Sequence, residues 1–468
     1  MKPQSLKAVP RGTGSAERSI WGGSAQYRNR YAEPESAVAA LCPDSFDAVM
    51  VVPVCAESAT FVDGYRAAAQ GADSVLVIAV LNGRVEADES VHALNARCLR
   101  ELTSRFSLRE LVPGGWLGHD ARMSVLVVDR FTMNRRLPSH QGVGLARKIG
   151  ADIALELIVQ ERVRRPFFGM TDADTRLPED YFSRLATLEP DCSAAIFPFW
   201  HEPHGESRVD RATALYEIRL RYIQRGLQWA RSPYAFHAVG STMAVHALSY
   251  AQVRGVPKRQ AAEDFYLLGK LSKLRPLVRL HGRPVRIRSR ISRRVPFGTG
   301  AETARLMGRD TFELYHPDCF AAVRDVIVCL RSMSESQGHS APELLAQMHP
   351  QVKRFLESQG ALAAWPKFCE QSPTPLARLR RLHDWFDGFR TLKLMHQVRD
   401  HAAPSLPWQE AIRRASFIDE VQDDGACLSE ARTDLLHLEQ ALPRLAGPSV
   451  FQAGAVGGSP RRPLRPSH

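Results

Sequence analysis

Three short apolar runs, Val49–Val54, Val75–Leu81 and Val125–Val128, constrain this chain more than any other feature. A strand with one solvated face alternates apolar and polar side chains, so a run with no polar position belongs to a strand covered on both faces. Between these runs the period changes. Val91, Leu94, Cys98, Leu99 and Leu102 recur at helical spacing and predict a helix over Glu89–Phe106. The same reading gives strands at Ala48–Val54, Ser74–Leu81, Ser124–Val128, Pro166–Met170 and Ala194–Pro198, with helices after Thr60 and over Val143–Val163. Such alternation predicts an α/β fold, a mainly parallel twisted sheet with helices on both faces. Ligands of these sheets bind at the carboxyl ends of the strands. Pro53–Ser58, Asn82–Gly83 and Asp172–Asp174 lie at such ends.

At 468 residues the chain exceeds one ordinary core. Residues 1–45, rich in Gly, Ser, Pro and Arg, read as a flexible arm, and 46–300 as the sheet domain. Residues 301–446 read as a helical region, from the spacing of Leu379, Leu382, Phe386 and Phe389 and of Leu435, Leu436, Leu438 and Leu442. Residues 447–468 read as a disordered tail. No apolar run approaches the ~18 to 20 residues needed to cross a bilayer, and Lys2, Lys7, Arg11 and Arg18 precede no apolar segment of a secretory signal. Eight scattered cysteines without a C-x-x-C pair fit reduced thiols. A cytoplasmic protein, in places peripheral to the membrane's inner face, is the expectation.

Asp172-Ala173-Asp174 carries the chemistry. Residues i and i+2 of a strand project to one side, so both carboxylates can share a hard cation. Mg²⁺ is commonly held by one or two protein carboxylates, with phosphate and water completing its shell. The net charge of +12 is concentrated: Phe265–Ala301 contains no Asp or Glu, and eight arginines lie between Arg275 and Arg294. A one-signed run interleaved with Leu, Val and Ile should meet an anion. Either Arg288, Arg290, Arg293 or Arg294 turns inward to a diphosphate, or the 270–294 stretch faces solvent and touches membrane phosphates.

Four features in order resemble a family-2 nucleotide-sugar glycosyltransferase of the GT-A fold. Val51-Val52-Pro53-Val54-Cys55-Ala56-Glu57 is similar to that family's opening strand and turn, with Ala56 where Asn is common. Gly142-Val143-Gly144-Leu145-Ala146-Arg147-Lys148 resembles the segment where a basic side chain reaches the donor diphosphate. Thr171-Asp172-Ala173-Asp174 and Leu177-Pro178-Glu179-Asp180-Tyr181-Phe182 follow, then Gly240-Ser241-Thr242 and Glu263-Asp264. The resemblance covers about Asp47 to Arg290. It implies that Pro53, Glu57, Asn82, Gly144, Arg147, Lys148, Asp172, Gly240 and Ser241 bind a nucleotide sugar. It further implies that Asp172 and Asp174 hold Mg²⁺ or Mn²⁺ with His281 as a third ligand, and that Asp264, assisted by Glu263, takes the acceptor's proton. Asn82 stands where the family commonly has Asp. No Gln-x-x-Arg-Trp follows Asp264, which implies transfer of a single sugar to an acceptor hydroxyl, on an acceptor that can itself be anionic.

Two other classes fit parts of the sequence. Asp172-Ala173-Asp174-Thr175 also fits the D-x-D-x-T of haloacid-dehalogenase-like phosphatases, although three strands precede it and no G-D-x-x-x-D follows. A non-enzymatic RNA- or membrane-binding protein would use residues 270–294, which lack aromatic interleaving for base stacking and leave the earlier motifs unexplained.

Overall fold

The computed structural model describes residues 16–290, 299–307, 312–336, 341–418 and 428–447. The three apolar runs become β1 (Ala48–Val54), β2 (Val75–Asn82) and β5 (Met123–Arg130). They lie side by side and parallel, with Val51 opposite Ile78 and Ile78 opposite Leu126. Their side chains alternate between two separate cores, as a strand covered on both faces requires. Val49, Val51, Leu76, Ile78 and Val80 enter one; Met50, Val52, Val54, Val77, Ala79 and Leu81 enter the other.

Around this centre the sheet grows to ten strands. β6 (Phe167–Met170) adds parallel to β1. Beyond β6 lie β10 (Met243–His246), β8 (Ala194–Ile196), β11 (Leu277–Arg279) and β15 (Leu445–Ala446); β3 (Arg109–Val112) and β4 (Gly115–His119) complete the far edge beside β5. β10 is antiparallel to both neighbours, and β3 and β4 form an antiparallel pair. The sheet is therefore parallel at its centre and mixed at its flanks, a GT-A-like α/β arrangement. A second small sheet joins β7 (Thr175–Arg176), β12 (Val285–Arg288) and β9 (Phe199–Glu202), and β13 (Glu313–Leu314) pairs with β14 (Leu406–Pro407).

Helices cover both faces of the large sheet. α4 (Val143–Val159), α7 (Ala247–Gln252) and α8 (Glu263–Leu274) contribute to the first core, and α2 (Asp63–Ala69), α3 (Glu89–Phe106) and α5 (Tyr181–Leu185) to the second. The arm expected over 1–45 is, from Ala16 on, structure: α1 (Ala16–Arg30) and a 3-10 helix at Pro34–Leu41. Tyr27, Val38 and Ala39 are buried against the first core. Its Gly and Ser content hid this, because tertiary burial overrides weak propensity.

The C-terminal region is helical as expected. It comprises α9 (Thr299–Met307), α10 (Pro317–Glu335), α11 (Ala341–Ala346), α12 (Pro350–Ser358) and α13 (Ala361–Glu370). α14 (Pro375–Trp385), α15 (Gly388–His401), α16 (Trp408–Arg414) and α17 (Leu428–Gln440) follow. These pack around the long α6 (Ser207–Trp229) in a third core. Its last strand, β15, returns to the large sheet, so this region is tied to the sheet domain at two places.

A buried polar cluster fixes the junction. Glu217 of α6 accepts from the His201 backbone N–H at 2.7 Å, approaches His201 Nδ1 at 2.8 Å, and pairs with Arg432 of α17; Arg221 pairs with Glu439. Burial works against the Glu217 charge, yet the hydrogen bond from His201 and the charge of Arg221 outweigh it and hold the carboxyl down at about 2. Ionised Glu217 therefore adds stability above its unfolded pKa of ~4.3, and that stability is lost as pH falls toward 2. Replacing Glu217→Gln strands buried guanidinium charge and is expected to cost about 3–5 kcal/mol. Urea unfolding at pH 7 should show this, with a smaller gap between variant and wild type at pH 3.

Candidate active site

The Asp-x-Asp turn leaves the carboxyl end of β6 at the centre of the sheet. It is pinned by its backbone. The Tyr65 hydroxyl and the Thr175 hydroxyl both donate to the Asp172 carbonyl at 2.7 Å, and Thr171 Oγ1 donates to the Ser241 carbonyl at 2.9 Å. β12 clamps the turn from the other side, with the Arg288 N–H donating to the Asp174 carbonyl at 2.9 Å. Thr175 thus has a structural task that explains the D-x-D-x-T pattern without phosphatase chemistry. With the turn so held, Asp172 and Asp174 both border a cleft of about 1170 Å³ at the strand ends.

Arg147, near the start of α4, organises one wall. Its side chain is only 3% exposed. It donates to Asp172 at 2.6 Å, to the Gly240 carbonyl at 2.8 Å and to Glu263 at 2.9 Å. A guanidinium is suited to this because its planar fork satisfies several acceptors at fixed angles. Gly240 has to lack a side chain: a Cβ there would lie 2.6 Å from Arg147 Nη2 and 3.3 Å from Asp264 Oδ2. The Gly240-Ser241 and Glu263-Asp264 motifs, far apart in sequence, therefore meet at one guanidinium.

Asp264 lies in the first turn of α8 and borders the cleft. It is bonded to the Phe265 N–H at 2.7 Å. Burial first and the neighbouring Glu263 second push its carboxyl up to about 7, while Arg147 pulls it down. A carboxyl that titrates near neutral pH in a cleft is suited to general acid–base work.

On the opposite wall Arg290 pairs with Glu57 and, at 2.7 Å, with Asp174. Burial, resisted by Arg290 and reinforced by the charges of Asp172 and Glu57, raises Asp174 to about 6. Around the turn four carboxylates (Glu57, Asp172, Asp174 and Glu263) pair with two arginines and Asp264 stands beside them, so carboxylate outnumbers guanidinium at this end of the cleft. Asp172 and Asp174 thus fit a divalent cation that arrives with phosphate oxygens, a shell that needs only one or two protein carboxylates. Among the described residues no group of three or more His, Cys, Asp or Glu is placed to hold a metal.

Several residues expected at this site lie elsewhere. His281 is exposed on the turn between β11 and β12 and does not border the cleft; its carbonyl accepts from Arg184. Lys148 points to the other side of α4. Buried there, it binds Asp152 at 2.6 Å, the Tyr31 carbonyl at 2.7 Å and the Tyr27 hydroxyl at 2.8 Å. Adjacent helical residues face directions about 100° apart, so Arg147 and Lys148 could not both reach one ligand. Gly144 serves close packing: a Cβ would lie 2.5 Å from the Pro257 carbonyl oxygen, and Gly144 does not border the cleft. Pro53, Glu57, Asn82, Gly240 and Ser241 do border it. The Asn82 amide is partly committed to the fold, donating to the Val54 and Val80 carbonyls at 3.1 Å.

The basic stretch divides. Arg275 and Arg279 donate to backbone carbonyls, and Arg283 and Arg286 pair with Glu179 and Glu202. Of its described arginines Arg288 and Arg290 border the cleft, as do Lys270 and Lys273, while Arg293 and Arg294 lie outside the described residues. Residues of α6 and α15 also form part of the cleft wall, which no motif in the sequence signals.

No family model matches this chain, and no curated protein does. Among solved structures it is similar to two crystal structures of residues 1–349 of S. aureus TarS, one in complex with UDP-GlcNAc. The alignments cover 75% of this chain and 91% of that one, at 11% and 12% identity and TM-scores of 0.33 and 0.31. Likeness that faint is no basis for assigning an activity, and the site stands on its own geometry. Among the described residues no helix is long and apolar enough to cross a membrane, and all seven cysteines are free.

The raised Asp264 pKa has a stability consequence. Between about pH 4 and pH 7 the folded chain holds a proton that the unfolded chain has released, so stability falls as pH rises through that window. Asp264→Asn removes the loss. Scanning calorimetry should show the variant melting above wild type at pH 8 and close to it near pH 4.

Proposed function

We propose that this cleft transfers a single sugar from a nucleotide-diphosphate donor to an acceptor hydroxyl, without processive polymerisation. The observation that carries the reading is Asp264, a carboxyl poised near neutral pH, next to Glu263, whose bond to Arg147 ties this helix start to the Asp172/Asp174 turn at the carboxyl end of the sheet. A base and a turn able to meet a diphosphate are parts that an inverting glycosyl transfer uses together. The ordered motifs that resemble family-2 glycosyltransferases support the same reading.

In this mechanism the nucleotide lies against Pro53, Glu57 and Asn82, and its diphosphate turns toward Asp172 and Asp174. Arg147 and Arg290 supply fixed positive charge to a departing diphosphate, in the direction in which charge develops. Asp172 and Asp174 would hold Mg²⁺ or Mn²⁺, which when bound supplies further charge neutralisation to the leaving group. Asp264 accepts the acceptor's hydroxyl proton as that oxygen bonds to the anomeric carbon. The bond from that carbon to the diphosphate breaks, and its electron pair leaves with the diphosphate. Glu263 keeps Arg147 in position and so acts on the reaction indirectly.

Incubation with a panel of UDP-, GDP- and dTDP-sugars plus Mn²⁺, followed for slow donor hydrolysis, tests the reading; no turnover or binding of any donor overturns it. Asp264→Asn should keep donor affinity and lower turnover by ~10² to 10⁴. In wild type kcat/KM should rise with pH through about 7 as Asp264 loses its proton. Asp174→Ala should weaken donor binding measured by calorimetry, and its affinity should no longer respond to EDTA. Hydrolysis of p-nitrophenyl phosphate that disappears in Asp172→Asn would instead establish the phosphatase reading.

A further inference from the structure

The cleft is larger than one ligand needs, and its two ends differ in character. A site for one small molecule usually occupies about 300–1,000 Å³, whereas this cleft measures about 1170 Å³. The charged end lies at β1, β2 and β6. Past Asp264 the wall becomes apolar and is built by the C-terminal region and α6.

Leu220, Ile223 and Leu227 project from α6 at i, i+3 and i+7, so they form one stripe, and all border the cleft. Leu392 and Met395 of α15 and Phe236 of the loop that follows α6 complete the lobe. The three α6 residues, Leu392 and Phe236 are half-buried, left partly uncovered by the fold. Scattered exposed apolar residues are ordinary, but a contiguous apolar wall continuous with a charged cleft marks a ligand surface. The junction is firm. The Gly388 end of α15 sits against Phe265 and Tyr234, and Lys273 of α8 pairs with Asp387 at 3.3 Å. Lys270, also on the cleft wall, makes no ion pair among the described residues and gives the lobe a polar border.

We infer that the apolar lobe between α6 and α15 binds the aglycone of the acceptor, and that this acceptor is an amphiphile with an extended hydrocarbon chain whose hydroxyl is presented to Asp264. The inference rests on the transferase reading for the role of the hydroxyl, but the lobe itself is testable without a donor. A hydrocarbon chain gains from burial along such a wall in proportion to its length, about three- to four-fold in affinity per methylene. A compact polar acceptor would gain nothing from it.

The test uses the full chain and the fluorescent probe N-phenyl-1-naphthylamine, displaced by hexanol, octanol and decanol. Displacement constants should tighten roughly three- to four-fold per added methylene. They should weaken at least ten-fold in Leu220→Glu and Leu392→Glu, and stay at wild-type values in Leu362→Glu, an exposed position on α13 outside the lobe. Chain-length-independent constants, or wild-type constants in both cleft variants, would overturn the inference. Should either glutamate variant melt well below wild type, Leu220→Ala and Leu392→Ala are read instead, with a three- to ten-fold weakening expected and an unchanged constant counting against the lobe. Nucleotide-sugar affinity, measured on the same samples, should stay within two-fold of wild type in the lobe variants. Failure of wild type to bind any donor would remove the transferase reading while the alkanol series still decides the lobe.

Discussion

The arrangement of the cleft depends on one buried guanidinium. Arg147 joins Asp172, the Gly240 carbonyl and Glu263, which come from three distant parts of the chain. A buried cation without partners would cost several kcal/mol, so the three acceptors and the arginine have to be brought together or not buried at all. That condition sets the distance between the Asp172/Asp174 turn and the proposed base. It also forces glycine at position 240, and it keeps Asp264 from being displaced still further upward by the charge of Glu263.

The second arginine works differently. Arg290 follows β12, whose backbone clamps the Asp-x-Asp turn, so the same strand that shapes the turn delivers the cation to it. Arg290 is about 30% exposed, against 3% for Arg147. A buried, triply bonded arginine is a fixed part of the scaffold. The more accessible Arg290 is the one that the diphosphate of the proposed donor would meet first.

The C-terminal helices complete the site. α15 abuts the residue after the proposed base, and α6 runs from the polar cluster at Glu217 to the apolar lobe. β15 and the pairing of α17 with α6 through Arg432 and Glu217 hold that region against the sheet domain. Catalytic polarity comes from the strand ends, and the hydrophobic wall comes from a separate core. The cleft forms where the two meet.

Much of this was legible in the sequence. Ala48–Val54 and Glu89–Phe106 fall where period and composition put them, because a strand buried on both faces and an amphipathic helix each leave a local signature. Asp172 and Asp174 lie at a strand end, as the apolar run before them implied, while Asp264 was marked only by the order of motifs that resemble the glycosyltransferases; all three border the cleft. The errors share a cause. Lys148 and His281 were assigned from a linear pattern of motifs, but direction around a helix and the path of a turn decide which side chain enters a cleft. The ordered helix of the N-terminal arm and the strands β10, β11 and β15 were missed because they are short or polar and gain their stability from neighbours far along the chain. The sequence by itself determined the layered α/β core and the residue types available for chemistry, since these follow from local periodicity. Only the tertiary structure decided which charges pair, that Arg147 gathers three motifs into one site, and that an apolar lobe continues it, because burial and Coulomb energy depend on distances between residues remote in sequence.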